Sequence, residues 1–355
     1  MIDSADISVV VQGPVRPETA ECLRSIRRWL AKSEIIFSTW IDEKTEDLIY
    51  DKLITTEIPP AYKQDLSGNF INNLNRMIRS TKAGVEVAQR KHLLKIRSDL
   101  ILDNVNFINT FENYPASGPR SVFSRKIVVP LFYSRTSFKG YPTPFHISDW
   151  AAFGKTEDIR KYYLGTQEVE EPFFSQYFIG CENKTPYNPT LFMMAPEQYL
   201  CLSCFRQFFS DIDMIDCSEV SARVMSASDE FIVSNFIISS YSETGWRLPK
   251  YEISVSIPGC AQTYFQFWTK YVYERKYQQY CDNDYKVTDK RGQNFIKYPL
   301  TCKNIQRLYK HVRYLLNRGS LLNRLEQVLV IPFLFILTVL SILYEVLRNM
   351  FAHSD

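Results

Sequence analysis

Arg97-Ser98-Asp99 is the tripeptide of this chain best placed to do chemistry. It follows Leu93, Leu94 and Ile96, an apolar run that reads as a short strand, so its carboxylate lies just beyond a strand's carboxyl end. Ligands of open α/β sheets bind at that edge, where a carboxylate is a natural holder for a metal-bound phosphate. Taken alone, Arg-Ser-Asp is also an ordinary surface turn, and the neighbouring elements decide between the two. Upstream, Leu74, Ile78, Thr81, Val85 and Ala88 recur at steps of three and four, which predicts one buried helical stripe. Asn72, Arg76 and Arg79 or Ser80 then fall on another face of that helix.

Two earlier strands fit the same sheet. Ile7-Ser8-Val9-Val10-Val11 is a β-branched run closed by Gln12-Gly13-Pro14, and Glu34 to Trp40 is a second run that ends near Asp42. Between them Cys22, Leu23, Ile26 and Leu30 carry helical spacing. The order strand, helix, strand, helix, strand predicts an α/β fold with a mostly parallel sheet flanked by helices.

These pieces resemble a known family. VVVQGPV at 9–15, EIIFSTW at 34–40, NNLNRMIRSTKAG at 72–84, LLKIRSDL at 93–100, HISDWAAFG at 146–154 and PEQYL at 196–200 stand in the order found in GT-A nucleotide-sugar transferases. More closely, they are similar to the WavE-type lipopolysaccharide synthesis proteins. The resemblance implies a GT-A-like glycosyltransferase that moves a sugar from a nucleotide-sugar donor to a glycan acceptor in lipopolysaccharide or surface polysaccharide synthesis. In GT-A enzymes an Asp-x-Asp at this strand end binds a divalent cation that neutralises the donor diphosphate. Here Arg97 replaces the first Asp. Asp99 is then the expected ligand for Mg²⁺ or Mn²⁺, ions that often take only one or two protein carboxylates, while Arg97 can itself meet phosphate oxygens bidentately.

The resemblance assigns the remaining roles. Gln12 and Asp42 are expected near the base or ribose, and Asn72, Arg76 and Arg97 toward the diphosphate. Glu197 stands at a helix start where many GT-A enzymes place the acidic residue that removes the acceptor's proton, with Asp149 as the second candidate base. Both have plainer readings. Asp149 can join His146 in hydrogen bonds that fix a loop, and a Glu beside Pro196 at a helix start favours the helix dipole.

Other motifs carry less. Cys201 and Cys204 have CxxC spacing inside an apparent helix with no second pair at zinc-ribbon distance, which reads as packing. Gly154-Lys155-Thr156 resembles the end of a P-loop, but Asp149 stands where that pattern needs a glycine. The better reading is a strand ending at Gly154 and a helix capped by Thr156. Asn183-Lys184-Thr185 is a formal glycosylation sequon without meaning in the cytoplasm.

The 355 residues suffice for one large domain with an appendage, and a net charge of +3 gives no argument for nucleic-acid binding. An aromatic content of 14% suits a core and stacking platforms for sugar and base rings. Charge is uneven, with 13 Lys/Arg against 4 Asp/Glu between Lys270 and Arg324. An uncharged apolar run of 17 residues follows at 328–344. As a helix it extends about 26 Å, close to a bilayer's hydrocarbon core. A spanning helix, an interfacial helix and a buried core helix all remain open. The first two set the basic stretch against anionic lipid and, by the positive-inside rule, keep the catalytic domain cytoplasmic. Met1-Ile2-Asp3 leads directly into the first strand, with no signal peptide expected, and the eight scattered cysteines agree with a reducing compartment.

The expected organisation is a GT-A-like domain at 1–255, a basic helical extension at 256–320, and a C-terminal membrane-associated helix and tail at 321–355. Expected partners are a nucleotide-sugar donor, a glycan or lipid-linked glycan acceptor and the cytoplasmic face of the inner membrane. A sugar-phosphate transferase of capsule synthesis and a non-catalytic scaffold of a polysaccharide assembly complex are the alternatives. Only the scaffold has no need for Asn72, Arg76, Arg97 and Asp99 to converge.

Overall fold

The structure, a computed structural model, describes residues 2–138, 141–249 and 267–289. The chain opens as the hydrophobic pattern predicts, with β1 (Ile7–Gln12), α1 (Thr19–Trp29) and β2 (Glu34–Trp40), and adds a strand outside that pattern, β3 (Lys52–Thr56). A short hairpin, β4 (Tyr62–Lys63) and β5 (Ile71–Asn72), leads into α2 (Leu74–Val87) and β6 (His92–Arg97). There follow β7 (Ile101–Leu102), α3 (Asn106–Thr110), β8 (Ile127–Pro130), the small ribbon of β9 (Ser137–Phe138) and β10 (Tyr141–Pro142), and β11 (Ala151–Lys155). The remainder comprises α4 (Thr156–Tyr163), α5 (Pro196–Arg206), α6 (Ala222–Asn235), β12 (Phe236–Ser239), α7 (Tyr241–Thr244), β13 (Trp246–Arg247) and α8 (Lys270–Tyr280).

Seven strands form the central sheet in the order β12-β8-β11-β6-β1-β2-β3. All neighbours are parallel except β11, which runs against both β6 and β8. Successive side chains of a strand face opposite sides, and β1 shows the consequence: Val10 joins one hydrophobic cluster while Val9 and Val11 join the other. The first cluster gathers α2, α4, α5, α6 and α8 on one face, through residues such as Ile78, Tyr162, Leu202, Phe231 and Tyr273. The second holds α1 and α3 on the other, through Leu23, Ile26 and Phe107. A sheet buried on both sides needs continuous apolar strands, and β1 and β2 are buried along their whole length.

The predicted stripe of α2 is buried at Leu74, Ile78, Thr81 and Val85, with Ala88 buried at its end. Gly84 lets this helix lie directly on the sheet, because a Cβ there would sit 2.4 Å from Val10 Cγ1. Thr156 begins α4 but does not cap it. Lys155 holds the capping position, and Thr156 Oγ1 donates to the Arg90 carbonyl instead. Cys201 and Cys204 are buried free thiols of α5, and burial raises both pKa values, as packing requires.

Residues 267–289 share the core of the preceding domain. Tyr273 and Tyr277 of α8 are both 1% exposed, and the Tyr273 hydroxyl donates to the Phe236 carbonyl at 2.7 Å. The rest of the basic extension and the apolar run at 328–344 lie outside the described residues. Among the described residues no helix is long and apolar enough to cross a membrane.

Candidate functional site

A cavity of about 710 Å³ opens over the carboxyl ends of β6, β1 and β2. That is where an open α/β sheet exposes its loops to a ligand. Gln12 pairs in register with Arg97 on one side and Ser38 on the other. The rim therefore runs from Arg97 through Gln12 to the Trp40 end of β2. Two loops are locked together at this rim. The Ser98 amide donates to the Gln12 carbonyl at 2.9 Å, and Ser98 Oγ to the Pro14 carbonyl at 2.7 Å. Gly13 between them has φ +118°, and a Cβ there would lie 3.2 Å from Ser98 Oγ. Such a φ favours glycine.

Gln12, Asn72, Arg76, Arg97, Asp99, Asp149 and Glu197 all line this cavity, although they come from five separate stretches of sequence. Asp42 does not. It is exposed in the turn after β2, and the next residue, Glu43, lines the cavity in its place. Several of the gathered side chains are already engaged. Asn72 is 5% exposed, donates to Glu171 Oε1 at 3.0 Å and Ser175 Oγ at 2.8 Å, and accepts from the Leu74 amide at the start of α2. Arg76 Nε donates to the Pro59 carbonyl at 2.8 Å. Gln12 Oε1 accepts from Ser80 Oγ at 2.8 Å. Arg79 forms a bidentate pair with Glu168 instead of lining the cavity.

Asp99 is engaged as well. Arg97 donates Nε to Oδ1 and Nη2 to Oδ2, both at 2.9 Å, and Arg16 Nη1 stands 3.2 Å from Oδ2. The carboxylate is 4% exposed, whereas the two arginine side chains are 39% (Arg16) and 21% (Arg97) exposed. Both oxygens thus face guanidinium groups. This donor set does not suit a divalent cation, which would have to displace two charge-assisted contacts and sit beside two positive charges. No group of three or more His, Cys, Asp or Glu side chains placed to hold a metal exists among the described residues.

The cavity also carries two further carboxyl groups, Glu197 and Asp149. Glu197 sits in the first turn of α5, while Asp149 precedes β11. Burial, then the nearby Asp149 charge, raises the Glu197 pKa from 4.5 to about 7. The loop carrying Asp149 is held from below by Lys95, an entirely buried lysine of β6 whose ammonium donates to the Asp149 carbonyl. Burial lowers the Lys95 pKa to about 8. His146 stays neutral because burial depresses its pKa, and its Nε2 lies 3.9 Å from Glu197 Oε2, beyond hydrogen-bond reach. Tyr133 and Trp150 stand 4.8 Å apart and both line the cavity, with the Arg97 guanidinium 5.6 Å above the Trp150 ring.

Sequence reasoning assigned no role to Arg16, Trp40, Tyr133 or Lys95. For Arg16 a signal was present, since Gly13-Pro14-Val15-Arg16-Pro17 puts a cation in the turn at the end of β1. Lys95 had none, because one lysine among apolar strand residues reads as a solvent-facing position.

Comparison with known proteins adds a family. The family model described as WavE lipopolysaccharide synthesis matches residues 7–312. None of the curated proteins matches. Among solved structures, the apo form of the glycosyltransferase GlyE from Streptococcus pneumoniae TIGR4 is matched at 12% identity and a TM-score of 0.29. That match covers 58% of this chain and 44% of that one, a likeness too slight to carry an argument.

Proposed function

The chain belongs to the WavE lipopolysaccharide synthesis family, and from that premise we propose that its cavity transfers a sugar from a nucleotide-sugar donor to a glycan acceptor on a GT-A-like scaffold. The observation that carries this reading is the convergence of Gln12, Arg97, Asp149 and Glu197 on one cavity at the strand ends. A non-catalytic scaffold has no use for that convergence.

The rim suggests how a donor lies. Trp40 and Ile58 supply apolar surface for a base, Arg97 a guanidinium for a diphosphate, and Tyr133 and Trp150 ring faces for a sugar. In the reaction the acceptor oxygen attacks the anomeric carbon and its proton passes to Glu197. The bond from that carbon to the diphosphate oxygen breaks, and its electron pair leaves with the nucleoside diphosphate. A base works best with a pKa near the operating pH, and Glu197, raised to about 7, meets that condition. Asp149 helps to set it through its charge. The acceptor is a lipid-linked glycan at the cytoplasmic face of the inner membrane, a reading supported by the basic stretch followed by the apolar run at 328–344.

A thermal-shift screen of nucleotide sugars tests the donor half. A true donor at a hundred times its Kd should stabilise the protein by about 2.7 kcal/mol. If no nucleotide sugar raises Tm, the cavity is not a donor site.

A further inference from the structure

We propose that Arg16 and Arg97, aligned by Asp99, form a guanidinium clamp that holds a diphosphate in this cavity without a divalent cation. This rests on the donor-site reading above and specifies how that site meets its charge. Arg16 comes from the turn after β1 and Arg97 from the end of β6, and both reach the same carboxylate. Asp99 is the positioning residue. It is 4% exposed behind two arginine side chains that are 39% and 21% exposed, so the acid lies inside and the cations outside.

The charges support the assignment. Two guanidiniums and one carboxylate sum to a single positive charge, the same as a divalent cation held by one carboxylate. Adding the metal to the intact cluster would raise the sum to three and set like charges within a few ångströms. Guanidinium also matches phosphate oxygens with paired donors at fixed geometry, which a hydrated ion on a single ligand does not. The locked turn at Gly13 and Ser98 fixes the two strand ends relative to each other, so the clamp is set before a ligand arrives.

The test is titration of the full-length protein with inorganic pyrophosphate by calorimetry, in excess EDTA and again in Mn²⁺ or Mg²⁺. Affinity in EDTA should match that in Mn²⁺ or Mg²⁺ within about twofold. Arg16→Ala and Arg97→Ala should each weaken binding by about 10- to 150-fold, the range for a hydrogen bond to a charged group. Arg28→Ala, on the exposed side of α1, should change nothing. Asp99→Asn should lower pyrophosphate affinity while Tm holds, because the arginines lose their anchor. Arg16→Lys and Arg97→Lys keep the charge without the fork, and should recover only part of the loss.

Binding that appears only with the metal and vanishes in EDTA overturns the clamp, as does affinity untouched by both arginine variants or the absence of any pyrophosphate binding. Failure of the transfer reading looks different. Pyrophosphate would then bind in EDTA through both arginines while no nucleotide sugar was bound or turned over.

Discussion

Replacing Glu197 with glutamine separates a base from a helix-start residue, because it should raise stability while lowering activity. The ionised form of Glu197 is disfavoured in the folded protein, chiefly by burial and then by Asp149. A carboxyl whose pKa rises from 4.5 to about 7 on folding binds more protons folded than unfolded between those values. Stability from this group is therefore intact below pH 4.5 and declines as pH rises toward 7. The penalty at pH 8 is on the order of 3 kcal/mol at 1.36 kcal/mol per pH unit. Glutamine mimics the protonated acid and carries no such penalty. In a domain of this size each kcal/mol moves Tm by roughly 2 °C, so Glu197→Gln should melt about 6 °C higher at pH 8 and about level with the parent at pH 4.5. Scanning fluorimetry at the two pH values measures the difference. Transfer should meanwhile fall by about 10²- to 10⁴-fold, the range for a lost general base. An equal Tm change at both pH values, or a lower Tm at pH 8, would refute the burial argument and with it the case for a base poised near neutrality.

Three further outcomes are expected. Gly84→Ala puts a methyl group 2.4 Å from Val10 Cγ1, and should cost about 1–3 kcal/mol by forcing α2 off the sheet; denaturant unfolding reads this. Gly13→Ala meets a φ of +118° and should cost on the order of 1–3 kcal/mol, with a matching loss of nucleotide-sugar affinity in calorimetry because the two strand ends shift. A chain ending at residue 320 should leave the membrane pellet for the supernatant on fractionation, whereas the full-length chain should sediment with membranes; identical partitioning would sever the apolar run from localisation.

What could be read from the sequence was what is local. The β-branched run of β1 and the three-and-four spacing of α2 are written in neighbouring residues, and both elements stand where that spacing puts them. The strand-end rule then pointed to Asp99, and the family resemblance to Arg97 and Gln12, and all three line the cavity. Partnership was not legible. Asp99 had the look of a lone carboxylate awaiting a cation, and only the fold brings Arg16 across from another loop to occupy it. Asn72 looked like a phosphate contact, but its amide is held by Glu171 and Ser175, about a hundred positions downstream. Asp42 stands one residue from the cavity lining, since neighbouring side chains in a turn point in different directions and Glu43 is the one that lines it. Nor does any local pattern announce that β8 pairs with β12, or that β11 runs against the sheet.

The central claim is most directly tested by following product formation from a panel of nucleotide sugars, using chromatography with mass detection on the full-length protein and its Glu197→Gln variant. One donor should yield free nucleoside diphosphate, and the variant should bind this donor with unchanged affinity but release the diphosphate at least a hundredfold more slowly. Release of a nucleoside monophosphate, equal rates from the two proteins, or no turnover of any donor would contradict the claim.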